Sequence, residues 1–532
     1  MVSELIFCYM FLYFKGHSSK TSPKPQNTTF MRTKYISSDT ARLKIPDGKD
    51  LILLWGDKVK IDVNDVVDGN FRCKARGYEG YISPDDLGDE SLLEIYIIDV
   101  GQGDGILIKC PDPSKRKLGR HIMIDGGYMR EKQPHKKNAA DFVDWKFYKD
   151  YGKDKIKIDD MIVSHCDADH YGGLWDLVSD DAEAKRELDC DEVEVTNLYH
   201  AGVSWWRLAS GADRSLGRKV DNKLIDILTD RNSIASNLDT SVYPYIQGEY
   251  GDFLRTFLRT QPNTNIEFVG YEKDSNDVKY LPGYEAGASD ITIEVLGPVY
   301  ETSDGDITIS NLGSNSKNTN GNSIVLSLRY ENFKMLLTGD LNKKSQKQLL
   351  EVHHPSKFSS DVVKACHHGS HDVSFRFLQH INAAATVISS GDNESHAHPT
   401  ANLLSMSALS GYRVDGNDTI KSPLIFSTEI ARSVRIGSPI SGRLKHPTEE
   451  DPDNTIHFDD ISDLRLTYDR ADSGDLNREI RSKTLNKLSL IDGIVYGLVN
   501  IRTDGQKILF AIRKEKGNGW ETSTIQSRFP VV

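Results

Sequence analysis

Between Ile162 and Gly173 the chain reads Ile-Val-Ser-His-Cys-Asp-Ala-Asp-His-Tyr-Gly-Gly. An apolar strand runs into a turn that presents His165, Asp167, Asp169 and His170, four ligand-type side chains within six residues, before a glycine pair opens a helix. Such a cluster has no place in an ordinary core, because burying carboxylates without partners is strongly unfavourable. A divalent cation is the natural partner, and the spacing serves two: His165 and Asp167 can face one ion while Asp169 and His170 turn to a second. Two later segments end strands on the same residue types. Met335 to Leu337 leads into Thr338-Gly339-Asp340, a carboxylate held where it could bridge two cations, and Asp361 to Ala365 leads into Cys366-His367-His368-Gly369-Ser370. Eight of the 16 histidines fall between His353 and His398, which a solvated surface does not explain.

Every one of these groups follows a strand, so the elements must deliver strand ends to one edge. Leu93 to Ile98 and Gly105 to Lys109 are strand candidates around the tight Gly101–Asp104 turn, and His121 to Asp125 ends in Gly126-Gly127. Lys155 to Ser164 is a further strand, Gly172 to Val178 begins a helix, and Cys190 to His200 returns as a strand. Strands resume at 291–296, 323–328 and 333–337, and again at 494–501 and 507–512. Hairpins with helices between them predict a layered α/β sandwich rather than a doubly wound sheet. Residues 202–288 break the pattern; Asn222 to Leu228 and Tyr250 to Leu258 read as short amphipathic helices of an insertion over the site, a helical lid. Residues 437–485 are charged and Asp-rich, and are read as a partly flexible insertion.

At 532 residues the chain exceeds one core, so two or three domains are expected. Residues 40–90 alternate short strand-like runs with turns and are expected to form a small β-barrel, with 91–532 as the main domain. Residues 1–39 are read as a disordered tail, or as sequence upstream of a true start at Met31. The run Leu5 to Phe14 is too short to span a bilayer and lacks a basic leader region, so no membrane attachment and a cytoplasmic location are expected. The six cysteines form no CxxC pair, which argues against both a zinc finger and a disulfide scaffold. A formal charge of −12 argues against a generally basic nucleic-acid coat without excluding a local groove.

The motifs from Asp99-Val-Gly-Gln-Gly-Asp104 through Ile124-Asp125-Gly126, His165 to Gly173, Val295 to Pro298, Asn322-Ser323, Leu337 to Asp340, His367 to Ser370, and Asn393 with His398-Pro399 resemble, in that order, the metallo-β-lactamase superfamily. Within it the likeness is to the hydrolase domain of ComEC-type DNA-uptake proteins, over roughly residues 92–400 and more faintly at 427–433 and 496–505. The segment 56–87 resembles bacterial Src-homology-3-like domains, with an ordinary β-rich extension as the other reading. The resemblance implies an αββα sandwich and makes His165, Asp167, Asp169, His170, Asp340 and His368 metal ligands, with His367 as runner-up for the last position. His200 occupies the place of one further ligand, or is a plain strand-end histidine. Asp167 stands where many superfamily hydrolases carry His, so the implied pair of divalent ions is Zn or Mn, with the oxygen-rich set favouring Mn. The ComEC-type membrane channel is absent from this sequence, so DNA import is not implied.

Two cations would make a bridging hydroxide nucleophilic and neutralise charge on a phosphoryl or acyl oxygen. His398 and His396 resemble the family's late His-Pro element and are expected either to protonate a leaving group or to orient substrate, and Asp169 belongs to the catalytic set. His367, Ser370, His371 and Asn322 are expected on the substrate; Asp99, Asp104 and Asp125 are expected to support the ligands or their turns. A phosphodiesterase, and among these a nuclease, is the leading reading. Lys115, Arg116, Lys117 and Arg120 form a basic loop, Arg207, Arg214, Arg218 and Lys219 dot the lid, and Trp205-Trp206 could stack on bases or pack the lid core. The alternatives are a small-molecule phosphocholine-type esterase, and a module in which the barrel recruits a protein partner and the metal site is inactive.

Overall fold

The computed structural model describes residues 31–133, 136–211, 214–275, 277–303, 305–391, 398–414, 420–428, 498–513 and 519–529, together with six short strands between 435 and 492. Two sheets dominate. One has nine strands, in which Leu93–Ile97, Ile106–Lys109, His121–Ile124, Lys155–Val163, Glu192–His200 and Asn265–Phe268 lie side by side. Val499–Thr503, Lys507–Arg513 and Trp520–Gln526 extend it on the far side of Leu93–Ile97. The other has six: Ile291–Gly297, Val325–Tyr330, Phe333–Leu337, Val362–Lys364, Ala385–Ile388 and Leu424–Ser427.

Side-chain alternation along the strands splits the apolar residues between two faces. The inner faces share one core, in which Ile95, Ile108, Ile122, Ile124 and Ile162 meet Ile293, Leu326, Leu328, Met335, Val362 and Val387. The outer face of the nine-stranded sheet carries the helices Ala139–Trp145, Ala168–Val178 and Gly248–Thr260, represented in its core by Val143, Leu174 and Phe253. The outer face of the other sheet carries Lys343–Val352, Phe375–Ile381 and Ala401–Ser410 through Leu349, Phe377 and Leu403. The layers are therefore helix, sheet, sheet, helix, the expected α/β sandwich.

Register places the chemistry. His121–Ile124 runs parallel to Lys155–Val163, with Ile124 opposite Ile162, and Phe333–Leu337, Val362–Lys364 and Ala385–Ile388 run parallel in the second sheet. Parallel strands end together, so the segments after Ile124, Val163, Leu337, Lys364 and Ile388 emerge at a common edge, where open α/β sheets place ligands.

Several boundaries differ from the sequence reading. The strand Arg32–Ile36 lies inside the stretch read as tail; it pairs with Lys58–Val67 in a five-stranded N-terminal sheet. That sheet and the pair Thr40–Leu43 with Leu51–Leu54 enclose a small core of Ile36, Leu43, Leu53, Val59, Ile61, Cys73 and Ile82. Asn222 to Leu228 is not helical: Lys223–Leu224 pairs with Ile309 and Ser310, because two turns of amphipathic spacing cannot offset helix nucleation. The insertion contributes the helix Gly248–Thr260 at the expected place, but also the edge strand Asn265–Phe268. Between 437 and 485, antiparallel ladders join Ser441–Arg443 to Thr455–His457 and Leu464–Arg470 to Glu479–Leu485. The period-two alternation of Leu464, Leu466 and Tyr468 carried that signal beneath the charge. Among the described residues no helix is long and apolar enough to cross a membrane.

The N-terminal unit is fastened to the main sheet by Arg502, which is fully buried. Its guanidinium lies 2.8 Å from Asp57 and 3.7 Å from Glu94, and donates to the carbonyls of Leu54 and Trp55. Arg502→Met leaves both carboxylates buried without this cation and is expected to cost about 3–5 kcal/mol, read by denaturant unfolding; an unchanged midpoint would show that the two units are not held by this contact.

Candidate metal centre

The helix Ala168–Val178 begins four residues earlier than its glycines suggest, with Asp167 as N-cap, so Asp169 and His170 stand in its first turn. Gly172 and Gly173 let this turn lie against the loop after Ile124. A Cβ on Gly173 would fall 2.0 Å from the Gly126 carbonyl oxygen, and one on Gly172 would fall 2.3 Å from the Met129 nitrogen. That contact brings Asp125 to His170. Asp125 itself, His367 and His368 all adopt left-handed backbone, at φ 55°, 48° and 50°. Left-handed non-glycine residues are held there only by surrounding structure, at roughly 1–3 kcal/mol each, and they gather at functional sites.

Three imidazoles converge and all are buried. The His170 Nδ1–H donates to Asp125 at 2.8 Å, and Asp125 also accepts from the Ser164 backbone N–H and hydroxyl. The His165 Nδ1 lies 3.0 Å from the Ser164 Oγ and 3.3 Å from the Ser323 Oγ. The His368 Nδ1–H faces the Ser389 carbonyl at 3.1 Å and the Asp104 carboxylate at 3.3 Å. In each ring the Nδ1 is taken by the protein, and the buried Nε2 has no hydrogen-bond partner among the described residues. Those Nε2 atoms face carboxylates. Asp340 Oδ2 lies 3.0 Å from His368 Nε2 and 3.4 Å from His170 Nε2, and Asp169 Oδ2 lies 3.6 Å and 3.9 Å from the same two atoms. Ligand atoms of His165, His170 and Asp340 lie within 4.8 Å of one another, as do those of Asp169, His170 and His368. Imidazoles oriented through one nitrogen and open at the other, beside carboxylate oxygens, fit divalent cations.

The electrostatics agree with that fit. Burial would lift the Asp340 carboxyl, but His368 and His170 hold it well below the usual range. Burial would lower His368, yet Asp340 and Asp104 raise it to about 10. His170 is likewise raised against burial, by Asp340, Asp125 and Asp169, whereas burial and the neighbouring His170 push His165 down. The metal-free chain thus draws protons onto the two rings nearest the carboxylates, in a field that equally favours cations.

Other expected residues fall in different places. Asp167 lies 3.7 Å from the His165 Nε2, but its carboxylate accepts from Thr319 and belongs to none of the three-residue groups; burial and Asp169 lift it to about 6. His200 is not brought to the cluster. Its Nδ1 accepts from the Gly202 N–H, burial lowers its pKa to about 4, and the charge it senses is Asp230. The end of Glu192–His200 is one strand beyond Lys155–Val163, which sequence position alone does not reveal. Asn322 is also displaced from its expected role: it is buried and donates to the Asn318 carbonyl at the end of a helix. His367, Ser370, His371 and His398 line a cavity of about 980 Å³ over the cluster. Asp99 accepts from the Gly101 N–H within the glycine turn. His396 and Asn393 lie outside the described residues.

The sequence reading missed the roles of Ser164 and Ser323, of Asn320, whose side-chain amide lies 3.1 Å from the His367 Nε2, and above all of Lys364. This fully buried lysine pairs with Asp104, donates to the Gly339 carbonyl at 3.1 Å and lies 3.6 Å from Asp340. A lysine in the apolar run Val362-Val363-Lys364-Ala365 was the available signal, since buried lysines are almost always paired.

Residues 100–186, which hold the strand end at Asp125 and the His165–Gly173 turn, match the family model "Metallo-beta-lactamase superfamily". Those residues carry a metallo-beta-lactamase superfamily domain match. Over 106 residues the chain is 31% identical to the ComE operon protein 3 of Bacillus subtilis (strain 168), a match that covers 19% of this chain and 13% of that protein. Among solved structures, the metallo-beta-lactamase fold protein YhfI from Bacillus subtilis aligns at 12% identity over 60% of this chain and 94% of its own, with a TM-score of 0.27. A protein of unknown function from Enterococcus faecalis V583 aligns at 14% identity over 52% of this chain and 50% of its own, with a TM-score of 0.24.

Within this metallo-beta-lactamase domain, Asp125→Asn keeps the size of the side chain but weakens the hold on His170. Cation affinity, measured by isothermal titration of the apo-protein with Mn(II) or Zn(II), is expected to fall about 10–100-fold; wild-type affinity would show that Asp125 does not orient a ligand.

Proposed function

We propose that the chain is a binuclear metal-dependent hydrolase of phosphodiesters that acts as a nuclease. The observation that carries the metal reading is the set of three buried Nε2 atoms without a hydrogen-bond partner, grouped with the Asp340 and Asp169 carboxylates. His165, His170, His368, Asp169 and Asp340 would hold the ions, with Asp340 set between the two histidines from separate segments and Asp167 at the edge of the set. Bound there, a pair of Zn or Mn ions supplies a lowered pKa for water and neutralises charge that develops on a phosphoryl oxygen. The protein's own residues do the rest. Asp125, Ser164, Ser389 and Asp104 fix ring orientation, so that the ligand atoms need not reorganise during reaction. Lys364 offsets the charge of Asp104 and Asp340. His367, Ser370 and His371 border the cavity and offer polar groups to a phosphodiester.

His398 lies across the cavity floor, with its ring 6.5 Å from His368 and 5.7 Å from His367. From there it serves as proton donor to the leaving oxygen when the P–O ester bond breaks. The phosphodiester reading also draws on the motif order that this sequence shares with ComEC-type hydrolase domains. The phosphocholine-type esterase would use the same metal site and differs only in substrate.

Purified protein with Mn(II) or Zn(II) is to be offered plasmid, single-stranded DNA, RNA, bis-p-nitrophenyl phosphate and p-nitrophenylphosphorylcholine. Cleavage of nucleic acid that Asp340→Ala abolishes is the expected result; cleavage of the choline ester alone would replace the nuclease with the esterase, and silence on all five with metal bound would leave a binding module. His398→Ala is expected to slow nucleic-acid cleavage about 10²–10⁴-fold. It should slow release of p-nitrophenolate far less, because that leaving group needs no proton; equal losses on both substrates would remove His398 as the acid.

A further inference from the structure

Metal chemistry uses only the floor of the cavity, and the wall opposite carries an unexplained pair. Trp205 and Trp206 are neighbours in sequence with opposite surroundings. Trp206 is 2% exposed, pairs with Ile246 in a short ladder and belongs to the outer core, so it is packing. Trp205 is half-buried and lines the cavity. Its backbone is pinned by the Gln247 N–H, 2.9 Å from its carbonyl. Arg214 stands over its ring, with the guanidinium carbon 5.1 Å from the centroid, and Asn315 holds the Arg214 carbonyl at 2.8 Å. The same two side chains, with Asp167 and Ser316, also border a second cavity of about 410 Å³. The indole thus stands between the space over the metal cluster and a second space beyond it.

We infer that Trp205 and Arg214 form a clamp for an unpaired nucleotide next to the scissile phosphate, Trp205 against the base and Arg214 against the backbone phosphate, which makes a single nucleic-acid strand the preferred substrate. The inference rests on the phosphodiesterase reading above and adds the residues that select the substrate. Every base has a flat face, so an indole binds bases without regard to sequence, whereas bases inside a duplex are already stacked on one another. Arg214 and Lys317, both exposed on the cavity wall, make no ion pair among the described residues and suit phosphate oxygens. Glu249 on the same wall is engaged by Lys132 at 2.6 Å, and Asp372 is the other acidic wall residue away from the metal cluster. The clamp also separates this substrate from a choline ester. An aromatic face recognises a quaternary ammonium by cation–π attraction, but here the Arg214 guanidinium, 5.1 Å from the ring centroid, repels a second cation at the indole. A neutral base meets no such repulsion.

The test uses the full chain and two short fluorescein-labelled strands, one of deoxythymidylate and one with the same backbone and abasic sites throughout. Fluorescence anisotropy with Ca(II) reads binding, and cleavage with Mn(II) reads KM and kcat. Bound-metal content checks that each variant is folded. The wild-type protein is expected to prefer the base-bearing strand by about tenfold in Kd and in KM. Trp205→Ala should erase that preference through KM rather than kcat, and Trp205→Phe should restore most of it. Arg214→Ala should weaken both strands alike and flatten the dependence of binding on salt. A wild-type protein that binds the two strands equally, or a Trp205→Ala variant that keeps the preference, would overturn the clamp while leaving the phosphodiesterase standing. Hydrolysis of p-nitrophenylphosphorylcholine with no action on any nucleic acid would overturn the clamp together with the nuclease reading.

Discussion

Three imidazole nitrogens and a carboxylate, all buried, face one another with nothing between them that the protein supplies. His165, His170 and His368 each give one ring nitrogen to a protein partner; the other faces Asp340 and Asp169 in His170 and His368, and Asp167 in His165. Buried polar atoms are normally paired, and an unpaired one is costly. Several such atoms at one point, each aimed by a specific acceptor behind it, form an arrangement that cations complete. The rest of the fold can be read as the apparatus that produces and tolerates this convergence.

No single element could assemble the cluster. Asp125, His165 and His170 come from the nine-stranded sheet and its helix, while Asp340 and His368 come from the six-stranded sheet. The two groups meet because an isoleucine-, leucine- and valine-rich core joins the inner faces of both sheets. Its apolar area, at roughly 25 cal/mol per Å², is what holds mutually repelling carboxylates close and keeps Asp125, His367 and His368 in left-handed backbone. Stability generated in the middle of the sandwich is spent at its edge. Lys364 makes the same point from the other side: it provides a permanent buried cation beside Asp104 and Asp340, which lightens the charge that bound ions must offset.

The parts of the site that the sequence made legible are those carried by local motifs. His165, Asp169 and His170 share one turn, and Asp340 and His368 each follow an apolar strand, so residue type and strand-end position were enough to single them out. Position alone failed at His200 and Asn322. Both sit at element ends of the expected kind, but strand order sends the first toward Asp230 and helix geometry turns the second back to Asn318. Residues that act at long range were invisible for a different reason. Ser164 reaches Asp125 across 39 positions, and Ser389 reaches His368 across 21; nothing in either local sequence announces the partner. The fold shows the same division. The layers follow from periodicity and turn residues, whereas the ladders between 437 and 485 were hidden because charge masked their alternation.

The insertion gives the site its shape. The helix Gly248–Thr260 stacks Phe253 on Tyr171 of the metal-site helix and sets Tyr250 against the same ring at a tilt, which ties the cavity wall to its floor. The claim beneath all of this is that the cluster binds cations, and elemental analysis of the purified chain after reconstitution and gel filtration tests it most directly. The account predicts two Zn or Mn ions per chain, reduced in His170→Ala and His368→Ala variants. A folded wild-type chain that retains no divalent ion would contradict it.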